Sequence, residues 1–178
     1  MDNRIAVIYK SSTGFTKRYA ELIAQELNCT IADFKTVTPE FLSAYDCIIF
    51  GSRAHAGKID GFPKMKKIFQ KCTAKNMLLF VTGATANTSE SVIQEFFKQN
   101  LTADELQEIP HFYMQSGLCY EKMSSFDKCM MKGLAAMLKK KKDKTAYEIE
   151  MEHAIQKSYD ISSKKYIEPL IQYLQERM

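Results

Sequence analysis

The chain has 178 residues, is 46% hydrophobic and carries a formal net charge of +4, which suits one packed α/β domain spanning residues 1–178. It has no run of about 18 apolar residues to cross a membrane and no signal-peptide apolar segment at the N-terminus, so a cytoplasmic protein is expected. Five cysteines (Cys29, Cys47, Cys72, Cys119, Cys129) form no Cys-x-x-Cys pair, which argues against a disulfide framework, a metal site or a thioredoxin-type motif. They read as reduced thiols, mostly core, with Cys119 and Cys129 the more exposed pair. The positive charge is local: Tyr120 to Thr145 holds eight lysines against three acidic residues, while the rest has 17 basic and 18 acidic residues.

In chain order, Ile5-Ala6-Val7-Ile8-Tyr9 is short, apolar and partly β-branched, as a strand buried on both faces should be. Ser11-Ser12-Thr13-Gly14-Phe15-Thr16 follows and opens a helix expected from about Phe15 to Leu27, with Tyr19, Leu22, Ile23, Ala24 and Leu27 on one face. Four hydroxyls and a glycine thus gather where the first helical amides lack partners and the helix dipole favours an anion. A Walker loop needs a Lys followed by Ser or Thr after its last glycine, and a dinucleotide fingerprint needs three spaced glycines; neither is present. The stretch fits one terminal phosphate monoester. The plainer alternative is an ordinary hydroxyl N-cap.

Further on, Thr30 to Asp33 reads as a short strand, Pro39 to Leu42 as a helical turn, and Tyr45 to Gly51 as a buried strand. A loop from Ser52 to Gly61 precedes a helix expected from Phe62 to Lys71, where Pro63 suits the first turn. Met77 to Thr82 is another buried strand, followed by the small polar loop Gly83-Ala84-Thr85-Ala86-Asn87-Thr88 and a helix capped by Ser89 or Ser91. His111 to Ser116 takes the position of a fifth strand, and Ser163 to Arg177 that of the last helix. Strands alternating with helices predict a parallel sheet covered on both sides, with ligands bound outside the carboxyl ends of the strands. The loops 11–16, 52–61 and 83–88 all sit at those ends.

The pattern Ser11, Thr13, Gly14, Thr16, with the two later loops, resembles the flavodoxin superfamily over roughly residues 4 to 118 and again from about 155 onward. The resemblance implies a flavodoxin-like three-layer doubly wound fold with a five-stranded parallel sheet of order 2-1-3-4-5, and an FMN site. Ser11, Ser12, Thr13, Gly14, Phe15 and Thr16 would hold the ribityl phosphate. Ser52, Arg53, Ala54, His55, Ala56, Gly57 and Gly83, Ala84, Thr85, Ala86, Asn87 would flank the flavin ring. Many flavodoxins stack aromatic residues on that ring, whereas these two loops offer none. The extra helical segment, about 119–154, with its core Ser125 to Leu138 and the run Lys139 to Lys142, is similar to the insertion of the short, quinone-dependent bacterial protoporphyrinogen oxidases. Those relatives tend to place a tyrosine where Ala56 stands. The resemblance implies electrons passing through FMN between a porphyrinogen and a quinone.

No acid–base residue stands out. His55 is a candidate to contact the flavin or donate a hydrogen bond, against the plain reading of a solvated loop histidine. Arg53 is a candidate to offset negative charge on reduced flavin or an acidic substrate, against a surface arginine. In the insertion, Phe126, Met130, Leu134, Met137 and Leu138 fall near helical spacing. That face either packs on the domain's own core or, with its lysines, lies peripherally on an anionic membrane at the inner face. The lysine run alone fits a solvated face. Nucleic acid is not an expected partner, because no reading motif accompanies the patch. Two functions follow: an FMN oxidoreductase using a quinone or porphyrinogen, or an electron carrier between redox proteins. Carriers of this type tend to be acidic around the flavin, which favours the enzyme; the oligomeric state stays open.

Overall fold

The computed structural model describes residues 4–177. Its elements run β1 (Ile5–Tyr9), α1 (Phe15–Leu27), β2 (Thr30–Asp33), α2 (Pro39–Leu42), β3 (Cys47–His55), β4 (Lys58–Ile59), α3 (Phe62–Phe69), β5 (Asn76–Gly83), α4 (Glu90–Asn100), α5 (Ala103–Glu108), β6 (His111–Gln115), β7 (Gly117–Leu118), α6 (Ser125–Lys140), α7 (Ala146–Ala154), β8 (Tyr159–Asp160) and α8 (Glu168–Arg177). Five parallel strands form the sheet in the order β2-β1-β3-β5-β6. With the two-residue β4 set aside, this is the expected order 2-1-3-4-5.

Because side chains alternate along a strand, each central strand feeds two cores. Ala6, Ile8, Ile48, Phe50, Leu79 and Val81 pack with Phe62, Met65 and Phe97 of α3 and α4. Val7, Ile49, Leu78, Phe80 and Met114 pack with Tyr19 and Ile23 of α1 and Leu170 and Leu174 of α8. The result is three layers, each large apolar side chain contributing on the order of 1.5–3 kcal/mol. Gly51 allows a close approach: a Cβ there would fall 2.0 Å from the Phe80 ring.

Neither core includes a residue from 117–165. That stretch leaves at β7 and returns at β8, which pair antiparallel through Gly117↔Asp160 and Leu118↔Tyr159. Between them α6 and α7 fold as an added layer. Among the described residues no helix is long and apolar enough to cross a membrane.

Several expected boundaries move. The third strand continues past Gly51 to His55, because β5 keeps pairing with it through Arg53↔Thr82 and β4 folds back on it through Ala54↔Ile59. The stretch 52–61 is therefore mostly a hairpin rather than a loop. Its turn is Ala56-Gly57, with φ 49° and 75°, the double positive φ of a two-residue type I′ turn. α3 stops at Phe69, short of Lys71. The last helix divides into a 3₁₀ turn at Lys164–Tyr166 and α8, since Pro169 has no amide hydrogen to continue the ladder. The short elements α5, α7, β7 and β8 add to the expected set.

Ala56 occupies a left-handed conformation that favours glycine. Ala56→Gly is expected to raise stability by about 0.5–1 kcal/mol, read as a higher denaturant midpoint, while Ala56→Val should lower it.

Candidate functional site

The phosphate-type loop is built by the turn into α1. Its N-cap is Gly14 at φ 101°, and no side chain caps the helix. Ser11 Oγ accepts from the Gly14 amide at 3.2 Å, which shapes the turn and leaves the first-turn amides without intrahelical acceptors. The hydroxyl N-cap alternative therefore does not hold. Thr16 is buried, and its Oγ1 lies 2.8 Å from Thr82 Oγ1; it fastens the loop to β5. Thr13 is half-buried and Ser12 exposed.

The cations close in sequence are already engaged. Lys10 Nζ meets Asp60 Oδ1 at 2.5 Å, Lys17 pairs with Glu21 at 3.6 Å, and Arg18 pairs with Asp160. A different cation reaches the loop: a Cβ at Gly14 would lie 3.8 Å from Lys122 Nζ. Among the described residues Lys122 has no ion-pair partner. Its backbone is set by a 3₁₀ turn in which the Tyr120 amide donates to Ser158 Oγ at 2.9 Å and the Tyr120 hydroxyl donates to the Ile155 carbonyl at 2.6 Å.

The hairpin carries the polar centre. Arg53 Nη1 donates to Asp127 Oδ2 at 3.2 Å, and His55 Nε2 lies 2.8 Å from Asp127 Oδ1. Arg53 Nε also reaches Asp60 Oδ2 at 3.4 Å. Asp127, only 6% exposed, sits in the first turn of α6, where Ser124 Oγ caps its amide at 3.0 Å. Burial pushes its carboxyl pKa up, but the hydrogen bonds from His55 and Arg53 and their charge outweigh this and hold it below the usual carboxylate value. An ionised carboxylate only accepts, so His55 Nε2 carries a proton and Nδ1 is the position left for other chemistry. The plain readings of a solvated histidine and a surface arginine are both displaced.

The third loop is locked by Asn87. Its backbone N–H donates to Gln115 Oε1 at 3.1 Å, and its Oδ1 accepts from the Gln115 backbone N–H at 2.9 Å. Thr85 Oγ1 lies 3.1 Å from the Tyr147 hydroxyl of α7. The Tyr113 hydroxyl is buried; burial pushes its pKa up, and Thr85 beside it offsets this in part.

These parts bound one cavity of about 690 Å³ at the carboxyl ends of the strands, within the usual range for small-molecule sites. Thr13, Phe15 and Thr16, then Arg53 to Gly57, then Gly83 to Ala86 line it. Ser11, Ser12, Gly14, Ser52 and Asn87 do not. Ser52 is buried with its hydroxyl on the Asp60 carbonyl. The far wall is Met123, Met130, Met131 and Leu134 with Tyr147 and Met151. Thus the inward face of α6 covers the cavity instead of joining either core, and Phe126 and Met137 are exposed rather than part of that face. A second cavity, about 590 Å³, lies at the opposite strand ends near Cys47, Asn76 and Pro110, away from where open α/β sheets bind ligands. Among the described residues no cluster of His, Cys, Asp and Glu has the makings of a metal site.

Asp127, Lys122 and Tyr147 were absent from the sequence-based site. Ser124-x-x-Asp127 does mark a helix start, but nothing in it points to His55. At neutral pH, Asp127→Asn is expected to cost about 1.5–3 kcal/mol, as for hydrogen bonds to a charged group. The lowered carboxyl pKa adds stability above the ordinary value near about 4, and this is lost as pH falls through the lowered value. The gap between wild type and variant in thermal melts should therefore close on acidification; an equal gap at pH 7 and at pH 3 would show that the charge is not what holds α6.

The flavodoxin domain model matches residues 6–145. No curated protein sequence matches significantly. Similar solved structures include a WrbA-like flavodoxin from Agrobacterium tumefaciens, 22% identical over 70% of this chain and 87% of that one, with a TM-score of 0.43. A flavodoxin from the domain Archaea is 16% identical over 86% of this chain and 99% of that one, at 0.40. The rubredoxin oxygen:oxidoreductase of Desulfovibrio gigas is 15% identical over 87% of this chain and 37% of that one, at 0.40. With the family model covering most of its length and all three loops of the site, the chain belongs to the flavodoxin domain family.

Proposed function

We propose that the chain is an FMN-dependent oxidoreductase of the protoporphyrinogen oxidase type, passing electrons to or from a quinone- or porphyrinogen-like substrate in the cytoplasm. The observation that carries this reading is the cavity itself. At one end Thr13, Phe15 and Thr16 line it at an uncapped helix start, which Lys122 approaches at Gly14 without itself lining the cavity, and at the other stands an Arg–Asp–His cluster under an apolar wall.

The residues fit the cofactor. A phosphate monoester needs several N–H and O–H donors and positive charge; the first-turn amides, Thr13 and Lys122 supply them. A ring system needs a flat apolar slot with few polar groups, and Ala54, Ala84, Ala86 and Tyr147 supply that. The buried Tyr113 hydroxyl adds a polar group in the same region. Bound FMN would contribute one- and two-electron redox chemistry. The chain's part is to hold the phosphate, to exclude water with α6 and α7, to set a positive guanidinium at Arg53 against developing negative charge, and to offer His55 Nδ1 for proton transfer. Four methionines on the wall, Met123, Met130, Met131 and Met151, make it soft enough to accept a large apolar partner. An electron carrier needs its ring edge open to a protein, whereas here α6 and α7 stand over the site. The five free thiols suit a reducing compartment.

The deciding experiment is turnover of FMN-loaded protein with protoporphyrinogen IX and a menaquinone analogue, beside an NAD(P)H control. Porphyrinogen oxidation coupled to the quinone is expected; activity with NAD(P)H alone would make the protein a reductase, and reduction without small-molecule turnover would make it a carrier. In fluorescence titrations, Thr13→Ala and Lys122→Gln should each weaken FMN about tenfold, equivalent to about 1.4 kcal/mol, and leave riboflavin unchanged. The Lys122 effect should shrink in high salt. Equal losses for both flavins would mean that the loop does not hold the phosphate.

A further inference from the structure

The two most exposed large apolar side chains among the described residues, Phe126 at 67% and Met137 at 59%, both lie on α6. They are eleven residues apart. At about 100° per residue they stand nearly in line, roughly 16 Å apart along the axis. Continuing around the helix away from the cavity come Gly133, Lys140 at the helix end, Cys129 and Ala136, all exposed, and then Lys132 and Lys139, also exposed. On the other side of the Phe126–Met137 line is Met130, which lines the cavity. Apolar surface therefore runs from the cavity wall over the edge of α6 to solvent, bordered by Lys132 and Lys139 and, at the C-terminal end, by Lys140.

The charge on this outer face has one sign. Lys141 is held by Glu148 and Lys144 by Glu152, but Lys132, Lys139, Lys140 and Lys142 have no ion-pair partner among the described residues. The one carboxylate of α6, Asp127, is committed to Arg53 and His55 on the inner side. A second copy meeting the same face would set lysine against lysine, and a nucleic acid would leave Phe126 and Met137 in water. An anionic lipid surface satisfies both halves, with apolar side chains at the acyl–headgroup boundary and lysines among the headgroups.

We infer that the outer face of α6 docks on an anionic bilayer and brings the mouth of the cavity to the membrane surface. A substrate dissolved in lipid then reaches the site along Phe126, Met137 and Met130 without crossing water. The docking does not depend on which cofactor fills the cavity.

Co-sedimentation of the full chain with phosphatidylcholine vesicles, alone or with about 30 mol% phosphatidylglycerol, tests this directly. Wild type should bind the anionic vesicles and leave the neutral ones. F126S/M137S should weaken binding at least about fivefold. K132S/K139S/K140S should weaken it more, since each lysine near the surface is worth roughly fivefold, and high salt should reproduce that loss in wild type. Circular dichroism melts and flavin titrations of both variants should match wild type, because the altered side chains are exposed and outside the cavity. Absence of wild-type binding to anionic vesicles, or retention by both variants, would overturn the inference. So would a wild-type dimer, seen by light scattering, that F126S/M137S dissociates.

Discussion

A buried carboxylate must be paired or it does not stay charged, and Asp127 is paired twice, to Arg53 and to His55. That requirement ties the added helical layer to the sheet. The two hydrophobic cores are complete without residues 117–165, so apolar burial in the main body does not dictate where α6 lies. Its inner face meets a cavity instead of a packed surface, which leaves much of its orientation to one polar cluster and to the β7–β8 clasp. The same cluster sets the charge of the site. One guanidinium and one imidazole share the Asp127 carboxylate within it, and Asp60 adds a second anion that also holds Lys10. Arg53 is thereby kept 21% exposed and directed by two carboxylates.

The hairpin is what makes this pairing possible. In an extended loop, Arg53 and His55 would be free to turn to solvent. As residues of β3 they alternate in register, and their spacing of two puts both on one face of the strand, where a single carboxylate reaches them. The tight Ala56-Gly57 turn returns the chain at once, so that Asp60 comes back beside Arg53. A strained alanine at φ 49° is tolerated there because the ladder on either side over-determines the turn.

Much of the frame was legible in the sequence because it rests on local periodicity. The strands of Val, Ile and Phe, the α1 stripe and the loop glycines each predict their element, and β1, α1, β2 and α2 fall where expected. What was not legible depends on partners distant in sequence. The apolar run stops at Gly51, but β3 goes on to His55 because Thr82 and Ile59 pair with its end. For α6, helical spacing identifies an amphipathic helix without saying which side is inward. The inward side holds Asp127, Met130, Met131, Leu134 and Leu138, displaced from the stripe that runs through Phe126 and Met137. A carboxylate 72 residues from its histidine leaves no trace in spacing. The aromatic side chain that those two loops lack is brought to the cavity wall by α7, in the form of Tyr147.

The same separation accounts for the placement of positive charge at the phosphate-type loop. Helix starts draw anions through amides alone, and flanking lysines would strengthen this only if they were not neutralised nearby. Lys10, Lys17 and Arg18, the cations that sequence proximity suggests, each have an acidic partner. Lys122 arrives from the added layer with none among the described residues. Glu121, beside it, is turned to Ser158 and Cys119, which keeps a neighbouring negative charge from cancelling the ammonium. The added layer therefore contributes in two places: a cation beside the helix start at Gly14 and an anion at the hairpin. A family frame that supplies amides and hydroxyls is completed electrostatically by residues outside that frame, and this couples the position of α6 to both ends of the site.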